Sequence, residues 1–284
     1  MSRLDPGTRL SAAPTGSSQG GAERAIGVFD SGIGGLTVVK AILDLLPNEP
    51  LIYLGDTART PYGTKSAEVV CRYSFENTEF LVARGIKLLV VACNTSSAVA
   101  LEALRERYSI PLVGVIEPGA SAAAVVTRNG KIGIIGTEAT IRSGCYTRAL
   151  RRIRPDFEIY TRACPLFVPL AEEGWVDNEV ARSTAELYLS SMRKSGIDTL
   201  ILGCTHYPLL AGVIRDTMGS GVSLVDSARA TANAVREALE RQALVDGGPS
   251  RATSFFVTDS PDRFVKVGSR FLGTSIDSAV QMER

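Results

Sequence analysis

Two cysteines of this sequence occur in the same local context and could act together as acid–base groups. Cys93 follows the apolar run LLVVA, Cys204 follows the apolar run TLILG, and polar residues come directly after each. The ordinary pKa of a thiol, about 8.5, is lowered by a helix N-terminus or a nearby cation, and the thiolate can then take a proton. One thiol could remove a proton from one face of a carbon atom while the other supplies a proton to the opposite face. Such a pair could invert a stereocentre.

Polar residues at the ends of predicted strands surround these cysteines. Because ligands of open parallel sheets bind beyond the carboxyl ends of the strands, we expect them to line one cleft. Asp30 and His206 are the titratable neighbours that could tune or relay protons for Cys93 and Cys204, respectively. We expect a helix to begin after each cysteine, so that its N–H groups could stabilise a thiolate and bind a carboxylate. The further candidates for substrate binding are Ser31, Pro61, Tyr62, Gly63, Asn94, Thr95 and Thr205.

Less specific interpretations apply to some of these features. A lone cysteine at a strand end is usually a small buried residue, and we interpret Cys71, Cys145 and Cys164 in that way. The turn DSGIGG follows a strand and opens a helix, as a dinucleotide-binding turn does, but its third glycine position falls at Thr37. We expect Cys93 and Cys204 to lie at the mouth of the cleft, outside the core.

The elements that must position these residues alternate along the chain. Short β-branched runs alternate with longer amphipathic stretches, which is typical of an α/β fold with largely parallel sheets. We predict strands at 25–30, 51–56, 87–93, 111–115, 222–226 and 254–259. Residues 131–141 predict a strand, a turn and a helix, and 199–208 open with a strand that ends at the cysteine. The predicted helices span 36–47, 66–84, 94–108, 119–128 and 228–241.

The pattern restarts near residue 131, which indicates two related halves. KIGIIGTEATI has the rhythm of AIGVFDSGIGG, and LILGCTHYP has that of LVVACNTSS. A length of 284 residues also fits two domains. We predict a first α/β domain from 24–117 with 227–284, a second from 118–226, and a disordered extension at 1–23.

Composition excludes several classes of protein. Lys and Arg total 31 and Asp and Glu total 30, so no basic surface for nucleic acid is indicated. No apolar run approaches the ~18 residues that a membrane span requires. Five cysteines without a CxxC pair, together with a single histidine, argue against a disulfide framework and a metal site. We therefore expect a cytoplasmic protein with reduced thiols, with no nucleic-acid or membrane partner.

Five segments in this order resemble the motifs of the glutamate racemase family. They are VFDSGIGGLTV, YLGDTARTPYG, VVACNTSS, ACPLFVPLAEEGW and LILGCTHYPLL. The resemblance covers roughly residues 24 to 272. It implies two pseudo-symmetric α/β domains with the active site between them, and interconversion of L- and D-glutamate for bacterial peptidoglycan without a cofactor or metal. A homodimer is usual in the family.

The resemblance also implies roles for individual residues. Cys93 would remove the proton of D-glutamate and Cys204 that of L-glutamate. The pairs Asp30–Ser31, Tyr62–Gly63, Asn94–Thr95 and Thr205–His206 match the substrate-binding pairs of the family. An acidic residue after PLA assists proton transfer in such enzymes, and here Glu172 and Glu173 are adjacent. We favour Glu172, and Glu173 stays open.

Three other functions remain as alternatives. An aspartate or hydantoin racemase would use the same two thiols but differs around its cysteines. A dehydrogenase would bind NAD at DSGIGG. A binding module for acidic amino acids would keep the cleft but would not exchange the α-hydrogen with solvent.

Overall fold

The computed structural model describes residues 24–246, 248 and 253–282, and the predicted extension 1–23 lies outside these residues. Within them the chain forms an α/β fold with two parallel sheets flanked by helices, as predicted. The central strands are buried on both faces, which explains why their sequences are continuous apolar runs rather than alternating ones.

The first sheet has six strands in the order β10-β9-β2-β1-β3-β4. Their bounds are β1 Ile26–Asp30, β2 Leu51–Gly55, β3 Leu88–Val91, β4 Leu112–Gly114, β9 Ser254–Val257 and β10 Val280–Gln281. All neighbouring strands pair in parallel, so their carboxyl ends lie at one edge. The C-terminal strands β9 and β10 thus complete the sheet that the N-terminal strands begin.

The second sheet has four parallel strands in the order β6-β5-β7-β8. Their bounds are β5 Lys131–Gly136, β6 Glu158–Ala163, β7 Thr199–Gly203 and β8 Ser223–Asp226. In each sheet a central strand (β1 or β5) pairs with the strand that leads to a cysteine (β3 or β7). This repeated pairing matches the repeated sequence rhythm. The domain boundaries at 117/118 and 226/227 stay a prediction.

Twelve α-helices connect and cover these strands in the described part of the chain. They are α1 Leu36–Leu45, α2 Ala67–Val82, α3 Asn94–Val99, α4 Leu101–Arg107, α5 Ile116–Val126, α6 Glu138–Ser143, α7 Cys145–Ile153, α8 Phe167–Glu173, α9 Glu179–Lys194, α10 Ala211–Met218, α11 Ser227–Arg241 and α12 Pro261–Leu272. Helix α11 packs against α1 and α5, and α12 packs against α1 and β9. No helix among the described residues is long and apolar enough to span a membrane.

Two expectations about the helices and one about the burial of the thiols were wrong. The helix predicted over 94–108 is two helices that meet at Ala100. No α-helix begins directly after Cys204, because a short 3-10 helix, Tyr207–Leu210, precedes α10. The thiols are not outside the core: Cys93 is 4% exposed and Cys204 is 7% exposed, and both contact buried apolar side chains.

Candidate active site

The residues that follow the carboxyl ends of the two sheets line one small cavity. Ten predicted residues line the cavity: Ser31, Pro61, Tyr62, Gly63, Cys93, Asn94, Thr95, Cys204, Thr205 and His206. The other lining residues are Thr60, Thr137 and Val168, which the sequence analysis missed. One cysteine comes from each sheet, so the two thiols reach the same cavity from different halves.

Cys93 lies at the N-terminus of α3. Its sulfur accepts a hydrogen bond from the N–H of Ser96 at 3.5 Å, so the thiol caps this helix. Burial and the charge of Asp30 nevertheless raise the pKa of Cys93 to about 11. The hydrogen bond from Ser96 at the helix N-terminus does lower the pKa of the thiol, but burial and Asp30 outweigh it. At neutral pH the resting Cys93 carries its proton and can donate it.

Asp30 lies beneath the cavity rather than in its lining. It is fully buried, and one carboxylate oxygen accepts a hydrogen bond from the N–H of Gly32. The other oxygen accepts a hydrogen bond from the hydroxyl of Thr205 at 3.5 Å. Burial raises the pKa of Asp30 above its ordinary value. Asp30 therefore links the Cys93 half to the residue that follows Cys204.

His206 connects Cys204 to Glu172. Its Nδ1 lies 3.8 Å from the sulfur of Cys204, and its Nε2 lies 3.1 Å from Oε1 of Glu172. Burial opposes protonation of the ring, but the hydrogen bonds with Cys204 and Glu172 and the charge of Asp30 raise the pKa of His206 to about 10. A protonated ring donates to both neighbours. The sulfur of Cys204 therefore lies beside a protonated ring, whereas the sulfur of Cys93 accepts hydrogen bonds from Ser96 and from the side chain of Ser31.

The two adjacent glutamates lie in different surroundings. Glu172 has a side chain only 15% exposed and contacts His206, whereas the side chain of Glu173 is 61% exposed and contacts Arg263. Burial opposes ionisation of Glu172, but His206 and Arg263 outweigh it and lower the pKa of the Glu172 carboxyl. The geometry thus favours Glu172 over Glu173 as the partner of His206.

The loop that carries Pro61, Tyr62 and Gly63 is fixed by hydrogen bonds on its side away from the cavity. The hydroxyl of Tyr62 donates to the buried carboxylate of Asp56 and accepts from Nδ2 of Asn77 at 3.1 Å. Nε of Arg59 contacts the same carboxylate at 2.7 Å. The Tyr62 hydroxyl is therefore engaged outside the cavity.

Contacts between the two halves surround the cysteine of the first half. The hydroxyls of Thr95 and Thr137 lie 3.0 Å apart, and Nδ2 of Asn94 donates to the hydroxyl of Tyr146 at 2.9 Å. Thr137 could have been found from the repeat, because it holds the place in KIGIIGTE that Ser31 holds in AIGVFDSG. Oδ1 of Asn94 is buried without a hydrogen-bond partner, so it can accept a bond from a ligand.

The raised pKa of His206 predicts a loss of stability as the pH rises. The folded protein holds a proton on His206 that the unfolded chain releases above its ordinary pKa of about 6.5. The free energy of unfolding therefore falls from pH ~6.5 towards pH ~10, with a slope of up to ~1.4 kcal/mol per pH unit for one proton. Urea denaturation at pH 7 and at pH 8.5 measures the slope. A His206→Gln variant with the same slope as the unmodified protein would contradict this assignment.

Comparisons with known proteins agree with the fold and the motifs. The sequence model of the Asp/Glu/hydantoin racemase family matches residues 26–235. The glutamate racemase of Geobacter metallireducens is 60% identical over 260 residues, which cover 91% of this chain and 96% of that protein. The crystal structure of the glutamate racemase isoform RacE1 of Bacillus anthracis has a TM-score of 0.89 at 41% identity, with 93% and 98% of the two chains covered. The Francisella tularensis glutamate racemase in complex with D-glutamate has a TM-score of 0.87 at 37% identity, with 92% and 98% covered.

Proposed function

The chain belongs to the Asp/Glu/hydantoin racemase family, and on that premise we propose that it interconverts L- and D-glutamate with Cys93 and Cys204 as its two proton carriers. The observation that carries the proposal is the pair of thiols, one from each parallel sheet, at one cavity. The high identity to glutamate racemases supports glutamate as the substrate. The product D-glutamate serves peptidoglycan synthesis.

The groups around the two thiols support a detailed mechanism for the conversion of L- to D-glutamate. At neutral pH, Cys93 holds a proton, and the protonated ring of His206 lies 3.8 Å from the sulfur of Cys204. Cys204 then takes the α-proton of L-glutamate while Cys93 donates its proton to the opposite face. In the reverse direction, Cys93 takes the α-proton of D-glutamate while Cys204 donates a proton to the opposite face. Substrate carboxylates are bound by the neutral donors of Ser31, Asn94, Thr95 and Thr205.

Comparison of glutamate with aspartate tests the proposed substrate. The protein is incubated with L-glutamate or L-aspartate without added cofactor, and chiral chromatography follows the opposite enantiomer. Turnover of glutamate with little turnover of aspartate supports the proposal. Turnover of aspartate with inert glutamate would replace it with the aspartate racemase alternative.

We expect the substitution Glu172→Gln to lower kcat by about 10- to 100-fold, because it removes a charge-assisted hydrogen bond to the buried His206. The substitution Glu173→Gln, at an exposed side chain, should change kcat by less than about threefold. Steady-state kinetics with D- and L-glutamate measures both variants. An equal loss in the two variants would contradict the assignment of Glu172.

We also propose a cytoplasmic homodimer. All five cysteines are unpaired thiols, which suits a reducing compartment. Val180 and Leu187 of α9 are 49% and 69% exposed and offer an apolar surface for a second copy. Light scattering of the purified protein tests the dimer, and the mass of a single chain at micromolar concentration would contradict it.

A further inference from the structure

Helix α12 is the part of the first half that reaches the proton-transfer residues around Cys204. It packs against α1 and β9 of the first half, yet two of its arginines contact α8 of the second half. Arg263 and Arg270 are seven residues apart, so they lie on the same face of α12. The last turn of α8, which they contact, carries Glu172.

Arg263 binds the carboxylates at the end of α8. Its Nη2 lies 3.5 Å from Oε2 of Glu172 and 3.3 Å from Oε1 of Glu173. The other oxygen of Glu172 faces His206 at 3.1 Å. Glu172 is thus held between a cation from the other half and the imidazole ring, and its carboxylate has a fixed orientation.

Arg270 holds the backbone of the same turn. Its Nη2 donates to the carbonyl oxygen of Glu172 at 3.4 Å, and a cation is favourable at the C-terminus of a helix. Gly174, which ends α8, has a φ of 76°, and a Cβ built there would lie 2.0 Å from Nη1 of Arg270. The guanidinium therefore occupies the space that a side chain at position 174 would need.

The residue after Arg270 reaches the ring of His206 itself. Phe271 packs edge-on against His206, with the ring centroids 5.3 Å apart. Helix α12 thus contacts both Glu172 and His206, on the side of the cavity where Cys204 lies. The described contacts of Cys93 come from β1 and the residue after it, from the loop that carries Tyr62, and from α2 and α3.

We propose that Arg263 and Arg270 are positioning residues, an interdomain latch that holds Glu172 against His206 and so supports proton transfer at Cys204 but not at Cys93. This inference rests on the proposed function. The latch acts on one of the two proton transfers, so its loss should affect the two enantiomers differently. The values of kcat/KM cannot reveal this difference. Their ratio for the two directions equals the equilibrium constant between the enantiomers, which is one, so a variant must lower both values by the same factor.

Primary isotope effects with α-deuterated glutamate reveal which proton transfer has slowed. The variants are Arg263→Ala, Arg270→Ala and the double substitution, with Lys266→Ala on an exposed position of the same helix as the matched control. Single variants should lower kcat/KM by about two- to fivefold, the range of exposed ion pairs, and the double variant by about tenfold. In the double variant the isotope effect should rise for L-glutamate, whose proton Cys204 removes, and fall for D-glutamate. An Arg263→Lys variant, which keeps the charge, should recover part of the activity.

Two results would overturn the latch. One is a double variant with the kinetics of Lys266→Ala, and the other is a slow double variant whose isotope effects change equally for both enantiomers. Failure of the proposed function looks different, because the unmodified protein itself would then not racemise glutamate. Circular dichroism and the unfolding midpoint of each variant separate a loss of folding from a loss of positioning.

Discussion

Replacement of Cys93 or Cys204 by alanine is expected to lower kcat for glutamate racemisation by about 10³-fold or more. Each direction of the reaction needs one thiol to remove a proton and the other to supply one, so either single variant should lose both directions. The size of the expected loss follows from the rate enhancement that a single general acid or base provides, which is about 10²- to 10⁴-fold. Chiral chromatography over long incubations measures the residual rate.

Both thiols are buried, so their loss also affects packing. An alanine leaves a space of about one sulfur atom, which costs ~1 kcal/mol and should not unfold the protein. Cys71→Ala is the matched control, because Cys71 is half-buried in α2 and donates to the carbonyl of Val99 away from the cavity. Substantial turnover in Cys93→Ala or Cys204→Ala would exclude the two-thiol mechanism.

The substitution Gly34→Ala is expected to lower kcat/KM by about 10²-fold or more, although it adds a single methyl group. A Cβ at Gly34 would lie 2.3 Å from Oγ1 of Thr205 and 2.5 Å from Nδ1 of His206. Both side chains would have to move, and a displacement of ~1 Å near the reacting atoms can cost about 10²-fold in rate. Steady-state kinetics with both enantiomers measures the loss.

Gly212→Ala provides the control for Gly34→Ala. Gly212 lies in α10, and a Cβ there has no atom within 4 Å among the described residues, so this variant should keep full activity. An active Gly34→Ala protein would show that Thr205 and His206 tolerate displacement, and their proposed roles would then be wrong. The close approach of Gly34 to Thr205 and His206 also explains a glycine in DSGIGG without a bound dinucleotide.

The strand ends made most of the cavity predictable. Parallel strands that end at one edge bring Ser31 and Cys93 together, although they are far apart in sequence. The internal repeat then predicted that Cys204 would hold the matching position in the second sheet. Ten of the predicted residues line one cavity for this reason.

Electrostatics and interdomain contacts could not be predicted in the same way. The pKa of Cys93 depends on how deeply the thiol is buried and on the charge of Asp30, and neither follows from a helix N-terminus in the sequence. The choice between Glu172 and Glu173 depends on which way α8 faces, which only its packing fixes. Arg263 lies about ninety residues from Glu172, on a helix for which no chemistry was indicated.

Racemisation of D-glutamate in deuterium oxide tests the two-thiol account most directly. The protein is incubated with D-glutamate, and proton NMR with chiral analysis follows the α-position of both enantiomers during the first few per cent of conversion. The account predicts that L-glutamate appears with deuterium at the α-carbon while the remaining D-glutamate keeps its proton, because separate groups serve the two faces. Deuterium that enters D-glutamate as fast as L-glutamate forms would indicate a single base, and neither exchange nor conversion would contradict racemisation itself.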